Sequence, residues 1–150
     1  MLKKICIIGL GYIGLPTAAM FASSGCDVIG VDVDINKVEM INKKKVPINE
    51  PGLDELIRRI VHNGKLKAST RPEKADAFLI TVPTPVTKDK NADLSYVRSA
   101  CEAIGDYVEP GNIIVLESTV PPLTVEGLVI PILQNCGIDT GKLYIGHCPE

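Results

Sequence analysis

Gly9-Leu10-Gly11-Tyr12-Ile13-Gly14 is the stretch whose reading decides the fold. The apolar residues 5–8 before it read as a buried strand, and the small-residue stretch 13–24 after it reads as a helix. Between a strand and a helix, G-x-G-x-x-G has a physical meaning. Gly9 permits a sharp turn, Gly11 lets a phosphate approach the backbone, and Gly14 lets the helix lie close to the sheet. The helix start then offers free N–H groups and a partial positive charge to an anion, with the backbone of Tyr12 and Ile13 at the point of contact. A second apolar run ends at Asp32, 18 positions after Gly14. A carboxylate there accepts hydrogen bonds from the ribose hydroxyls of an adenosine and repels a 2′-phosphate, which favours NAD over NADP. Lys37, in the first turn of the following helix, stands near that ribose position as either a cofactor contact or a solvated lysine.

Reading outward, strands are expected at 3–8, 27–32, 66–69, 77–82, 112–116 and 143–146, separated by helical stretches. That alternation implies a parallel sheet with helices on both faces, a Rossmann-type doubly wound α/β domain with strand order 3-2-1-4-5-6. Asp34 and Asp93 are expected helix caps. The helix starting near Thr124 should be kinked or shortened at Pro131. Two further loops fall at carboxyl ends of strands, where such sheets bind ligands. One is Pro83-Thr84-Pro85, with the threonine held between prolines. The other is Glu117-Ser118-Thr119, which brings a carboxylate and two hydroxyls to the same crevice.

Composition narrows the function. The chain has 150 residues, one ordinary domain, with 45% hydrophobic content and a net charge of −2. That charge gives no reason to expect nucleic-acid or membrane-surface binding. No apolar run reaches the roughly 18 residues of a membrane span, and the N-terminus lacks a signal-peptide pattern, so a cytoplasmic protein is expected. The five cysteines include no C-x-x-C, and Cys6 and Cys101 sit in apolar patterns, so they read as small hydrophobes rather than as metal ligands or disulfides. His62 and His147 show no ligand spacing, and His147 and Cys148, as neighbours on a strand, should face opposite ways. No metal site is expected.

The motifs taken together resemble the UDP-glucose/GDP-mannose dehydrogenase family over essentially the whole chain. The resemblance is carried by GLGYIGLPTAAMFAS from Gly9, GVDVD from Gly30, NEPGL from Asn49, VPTP from Val82, LESTVPP from Leu116 and HCPE from His147. HCPE points to the N-acetylmannosamine branch rather than to glucose, with UDP-glucose or another UDP-N-acetylhexosamine as the alternative sugar. The resemblance implies that residues 1–150 are the NAD-binding domain of a longer enzyme, with its linking helix and catalytic domain downstream. It implies pyrophosphate contacts at Tyr12 and Ile13, ribose contacts at Asp32, and cofactor contacts toward the nicotinamide at Pro83, Thr84, Ser118 and Thr119. Thr119 would also order a water, and Glu150 would open the acidic stretch leading to the sugar nucleotide. The implied reaction oxidises a primary alcohol of a UDP-sugar to a carboxylate in two NAD-dependent steps through a cysteine thioester. None of the five cysteines matches that nucleophile, so the chain alone is expected to be inactive. The longer enzyme is expected to be a homo-oligomer. One departure stands out: Leu123 occupies a position where the family often has glycine. Two other readings use the same glycine turn: a non-catalytic NAD-binding domain, which needs no ordered hydroxyls of the VPTP and EST kind, and a hydroxyacid dehydrogenase, which lacks the EPGL and CPE combination.

Overall fold

A computed structural model describes residues 2–149. Six parallel strands, β1 (Lys4–Ile8), β2 (Asp27–Val31), β3 (Leu66–Ser69), β4 (Ala77–Ile80), β5 (Ile113–Leu116) and β6 (Tyr144–His147), form one sheet in the order β3-β2-β1-β4-β5-β6. This is the expected order. Helices α1 (Gly14–Ser23), α2 (Ile35–Asn42) and α3 (Leu53–His62) come from the first half of the chain. Helices α4 (Ser95–Ile104) and α5 (Ile130–Asn135) come from the second.

Side chains alternate across a strand, so one strand feeds two cores. Ile5 and Ile7 of β1 join Ala77 and Leu79 of β4 on the face covered by α1, α2 and α3. Cys6 and Ile8 join Phe78 and Ile80 on the face covered by α4 and α5. All eight are buried, as central parallel strands require. Burial pushes the Cys6 thiol up to about 11 and the Cys101 thiol up to about 12, so both stay protonated and behave as hydrophobes. Cys136 and Cys148 are exposed, against the sequence expectation. The outer edge of β3 is closed by a side chain: Asn42 of α2 donates to the Ala68 carbonyl and accepts from the Ala68 N–H, both at 2.9 Å.

On α2, Val38 and Ile41 are buried while Ile35 stays largely exposed. Two local expectations come out differently. Asp93 accepts from the Ser95 N–H at 2.9 Å and so stabilises the turn one residue before the cap position of α4. The disturbance expected at Pro131 takes the form of a change of helix type. A π-helical turn, Val125–Val129, precedes α5, and Pro131 stands in the first turn of α5. Proline has no N–H to return to the carbonyl four residues back, and the wider turn accommodates that missing bond. Leu123 has φ 65°, a left-handed conformation that favours glycine, which accounts physically for glycine being common there in the family it resembles.

The junction of β1 and α1 is tightly built. A Cβ on Gly14 would lie 1.8 Å from the Gly9 carbonyl oxygen and 2.3 Å from Thr81 Oγ1. Backbone cannot yield as a flexible side chain can, so Gly14→Ala should cost at least about 3 kcal/mol, the upper range for overpacking. For a domain of this size that lowers Tm by roughly 10 °C, measurable by thermal denaturation.

Candidate functional site

The chain leaves β1 toward one face of the sheet and β4 toward the other, which opens a crevice between their carboxyl ends. A cleft of about 680 Å³ lies there, lined by the loops after β1 to β5 and by one side of α4. Gly9, Gly11, Tyr12, Ile13, Asp32, Lys37, Pro83, Thr84, Ser118 and Thr119 all line it. Gly14 is buried beneath the turn. Glu150 lies outside the described residues.

The glycines have separable causes. Gly9 has φ 100°, and a Cβ there would meet the Thr81 carbonyl oxygen at 2.8 Å. Gly11 has neither constraint: its φ is not left-handed and a Cβ would meet nothing within 4 Å. Nothing in the protein requires glycine at position 11; what its missing side chain leaves open is the cleft. No side chain caps α1, so the amides at its start are not claimed from within the chain by a capping residue.

Asp32 is only 8% exposed. Its Oδ2 accepts from the Leu10 N–H at 2.9 Å and from Lys37 Nζ at 2.7 Å, and its Oδ1 accepts from the Asp34 N–H at 3.0 Å. The carboxylate therefore ties the glycine turn to the start of α2, whose cap Asp34 accepts from Asn36 N–H and Lys37 N–H. Burial pushes the Asp32 carboxyl up, but the Lys37 ammonium and the two backbone N–H groups together outweigh it and hold the carboxyl below its ordinary value of 3.8. A depressed folded-state value means stability that is fully present above 3.8 and lost as pH falls through the folded value. Melting temperatures of the chain and of Asp32→Asn should therefore differ at neutral pH and converge in acid.

Two residues that the sequence reading passed over hold the site together. Thr81, at the end of β4, is buried and its Oγ1 lies 2.7 Å from the Gly9 carbonyl and 3.0 Å from that of Ile8. Its signal was a polar residue inside an otherwise apolar run. His147, at the end of β6, has Nε2 3.0 Å from the Ser118 carbonyl. A carbonyl only accepts, so that nitrogen carries the proton. The loops after β4 and β5 are also joined: Ser118 Oγ donates to the Val82 carbonyl at 2.7 Å and Thr84 Oγ1 donates to the Thr119 carbonyl at 2.7 Å. The Ser118 hydroxyl proton is thus spent within the protein. Val33, beside Asp32, is 96% exposed and lines the cleft, an apolar surface with no packing role in the fold.

The family model for the NAD-binding domain of the UDP-glucose/GDP-mannose dehydrogenase family matches residues 3–150. The chain belongs to that family. It is 47% identical to a UDP-N-acetyl-D-mannosamine dehydrogenase from Campylobacter jejuni, over 99% of this chain and 39% of that protein. It is 44% identical to the enzyme of the same name from Methanocaldococcus jannaschii, over 99% of this chain and 34% of that protein. The solved UDP-N-acetyl-mannosamine dehydrogenase of Staphylococcus aureus superposes with a TM-score of 0.94 at 42% identity, covering 99% of this chain and 37% of that one. The chain thus spans between a third and two fifths of the length of these relatives. As an NAD-binding domain of this family it has a site that suits its cofactor: an open position at Gly11, an uncapped helix start, a buried ionised carboxylate and a cleft of ligand size. Among the described residues no helix is long and apolar enough to cross a membrane.

Proposed function

We propose that residues 1–150 are the N-terminal cofactor domain of a longer nucleotide-sugar 6-dehydrogenase that oxidises UDP-N-acetyl-D-mannosamine to the uronate in two NAD-dependent steps. The observation that carries the cofactor half of this reading is Gly11, a glycine with no conformational or packing reason of its own, facing a cleft beside a buried aspartate. The sugar rests on relatives of that name at 44–47% identity.

The residues divide the work by position. The backbone from Gly11 to Ile13 takes the pyrophosphate, aided by the field of α1. Asp32 accepts from the ribose hydroxyls, and Lys37 keeps it ionised. Val33 offers an apolar face to the adenine. Pro83, Thr84 and Thr119 border the nicotinamide end, where the bond between Thr84 and the Thr119 carbonyl fixes the two loops against each other. Ser118 acts through its bond to Val82 rather than by donating to the cofactor. When bound, NAD supplies the hydride acceptor; these groups orient it and keep water from its reactive face. Thr119 is the chain's candidate for ordering the hydrolytic water, and Glu150 for reaching toward the sugar nucleotide. Neither buried thiol is a nucleophile at neutral pH, because burial raises both far above it.

The full-length protein carrying this domain should release two NADH per UDP-N-acetyl-D-mannosamine, with UDP-glucose a poor substrate. Preference for UDP-glucose would overturn the sugar assignment, and turnover by residues 1–150 alone would overturn the division between domains.

A further inference from the structure

Away from the nucleotide cleft, a second depression of about 550 Å³ lies between the C-terminal end of α2 and the outer side of α3. It shares no lining residue with the cleft. Lys43, Lys44 and Lys45 come from one side, and Arg58, Arg59 and His62 from the other, with Glu55 the one carboxylate in the lining. Such a concentration of cations is unexpected in a chain of net charge −2. A helix C-terminus attracts a cation or two through its partial negative charge, which accounts for some of these residues but not for their convergence from two helices.

The local pairing leaves most of that charge available. Lys43 pairs with Glu39 at 2.8 Å and Arg58 with Asp54 at 2.6 Å, both on the exposed surface, where such pairs contribute little and yield easily to a better anion. Among the described residues neither Lys45 nor Arg59 has an acidic partner within ion-pair distance. Lys44 Nζ lies 3.4 Å from His62 Nδ1, a contact that brings no carboxylate to the lysine.

Lys44 also carries backbone strain. The N–H groups of Lys44 and Lys45 return to the carbonyls of Ile41 and Met40, closing α2 with Lys44 at φ 62°. The chain closes α1, α3 and α5 with Gly25, Gly64 and Gly137 in the same left-handed conformation. Of these four left-handed closures, α2's is the one made by a residue with a side chain, a choice that disfavours the fold and places an ammonium over the depression.

We infer that this depression is a second anion site, for the oligophosphate group of a small molecule. The site is shallow, so charge rather than enclosure selects the ligand, and cations spread over two helices suit a chain of phosphates better than a single one. The group has two sources, a free oligophosphate or a nucleoside triphosphate. The inference does not depend on the dehydrogenase reading. α2 runs from beside the cleft to this site, so its last residue, Asn42, lies only about 8 Å along the helix from Lys37 and the aspartate contact, at 1.5 Å per residue.

The test is a backbone-amide NMR titration of the chain with sodium tripolyphosphate, ATP and orthophosphate in separate arms. Tripolyphosphate should shift the amides of residues 43–45 and 58–63 saturably, and orthophosphate at least tenfold more weakly. If ATP binds at this site with the affinity of tripolyphosphate, the phosphates are the ligand; tighter ATP binding identifies a nucleotide. Lys44→Gly should raise Tm and weaken tripolyphosphate at least threefold, a combination that a purely structural lysine does not produce. Lys45→Gln with Arg59→Gln, both exposed-side changes, should weaken it tenfold with Tm unchanged. Shifts confined to the nucleotide cleft, linear non-saturating shifts, or unaltered binding in both variants would each overturn the inference.

Discussion

Gly11→Val is expected to lower NAD affinity about a hundredfold and to leave Tm within a few degrees of the parent chain. The two halves of that expectation come from one observation. A Cβ at position 11 meets nothing in the protein within 4 Å, and the backbone there is not left-handed, so the fold has room for the larger residue. The room is the cleft itself. Isopropyl bulk placed where the pyrophosphate should touch the backbone forces the phosphate outward, at a cost like that of overpacking, up to about 3 kcal/mol. Gly14→Ala, three residues on, should do the reverse and damage the fold, because its Cβ would strike the Gly9 carbonyl. The pair separates a ligand-facing glycine from a structural one. Isothermal titration with NAD and thermal denaturation of both variants measure it, and retained NAD binding in Gly11→Val would remove the main support for the phosphate contact.

Asp32→Ala is expected to weaken NAD by about tenfold to a hundredfold and to improve NADP. The loss follows from hydrogen bonds between ribose hydroxyls and an ionised acceptor, worth about 1.5–3 kcal/mol. The gain comes from Lys37. Its ammonium is bound to the Asp32 carboxylate at 2.7 Å, and removing the carboxylate leaves a positive charge at the ribose end of the cleft, where a 2′-phosphate arrives. The variant should also be less stable, since the buried Leu10 N–H and the Asp34 N–H lose their acceptor. Affinities for the two cofactors are therefore compared in the same folded sample well below its Tm. Their ratio moves toward NADP if Asp32 discriminates by charge, and stays fixed if it acts only as a strut for the glycine turn.

How far the sequence could be read follows from what kind of physics sets each feature. Strand order and helix placement rest on apolar periodicity and on chain connectivity, both local enough to appear in the residues from Ile5 to Ile8 or from Ala77 to Ile80. The cleft rests on a spacing rule from Gly9 to Asp32 that a strand-turn-helix-strand unit imposes. What stayed hidden depends on contacts between residues distant in sequence. Thr81 reads as one more strand residue until the Gly9 carbonyl, 72 positions earlier, is found against its hydroxyl. His147 shows no ligand spacing, yet it reaches the Ser118 carbonyl 29 positions earlier. Ser118 stands at the end of a strand, and the bond it donates to the Val82 carbonyl, 36 positions earlier, leaves no trace in the local pattern. Pro131 was legible as a disturbance but not as a π turn, since proline states which bond is missing and not how the chain absorbs the loss.

The central claim is that backbone amides at the start of α1 take the phosphates of NAD while one carboxylate takes its ribose. The most direct measurement is a backbone-amide NMR titration of the unmutated chain with NAD and, separately, with NADP. The account predicts saturable shifts at Gly11, Tyr12, Ile13 and the residues flanking Asp32, with NAD bound clearly tighter than NADP. Equal affinity for the two, or saturable shifts that spare residues 11–13, would contradict it.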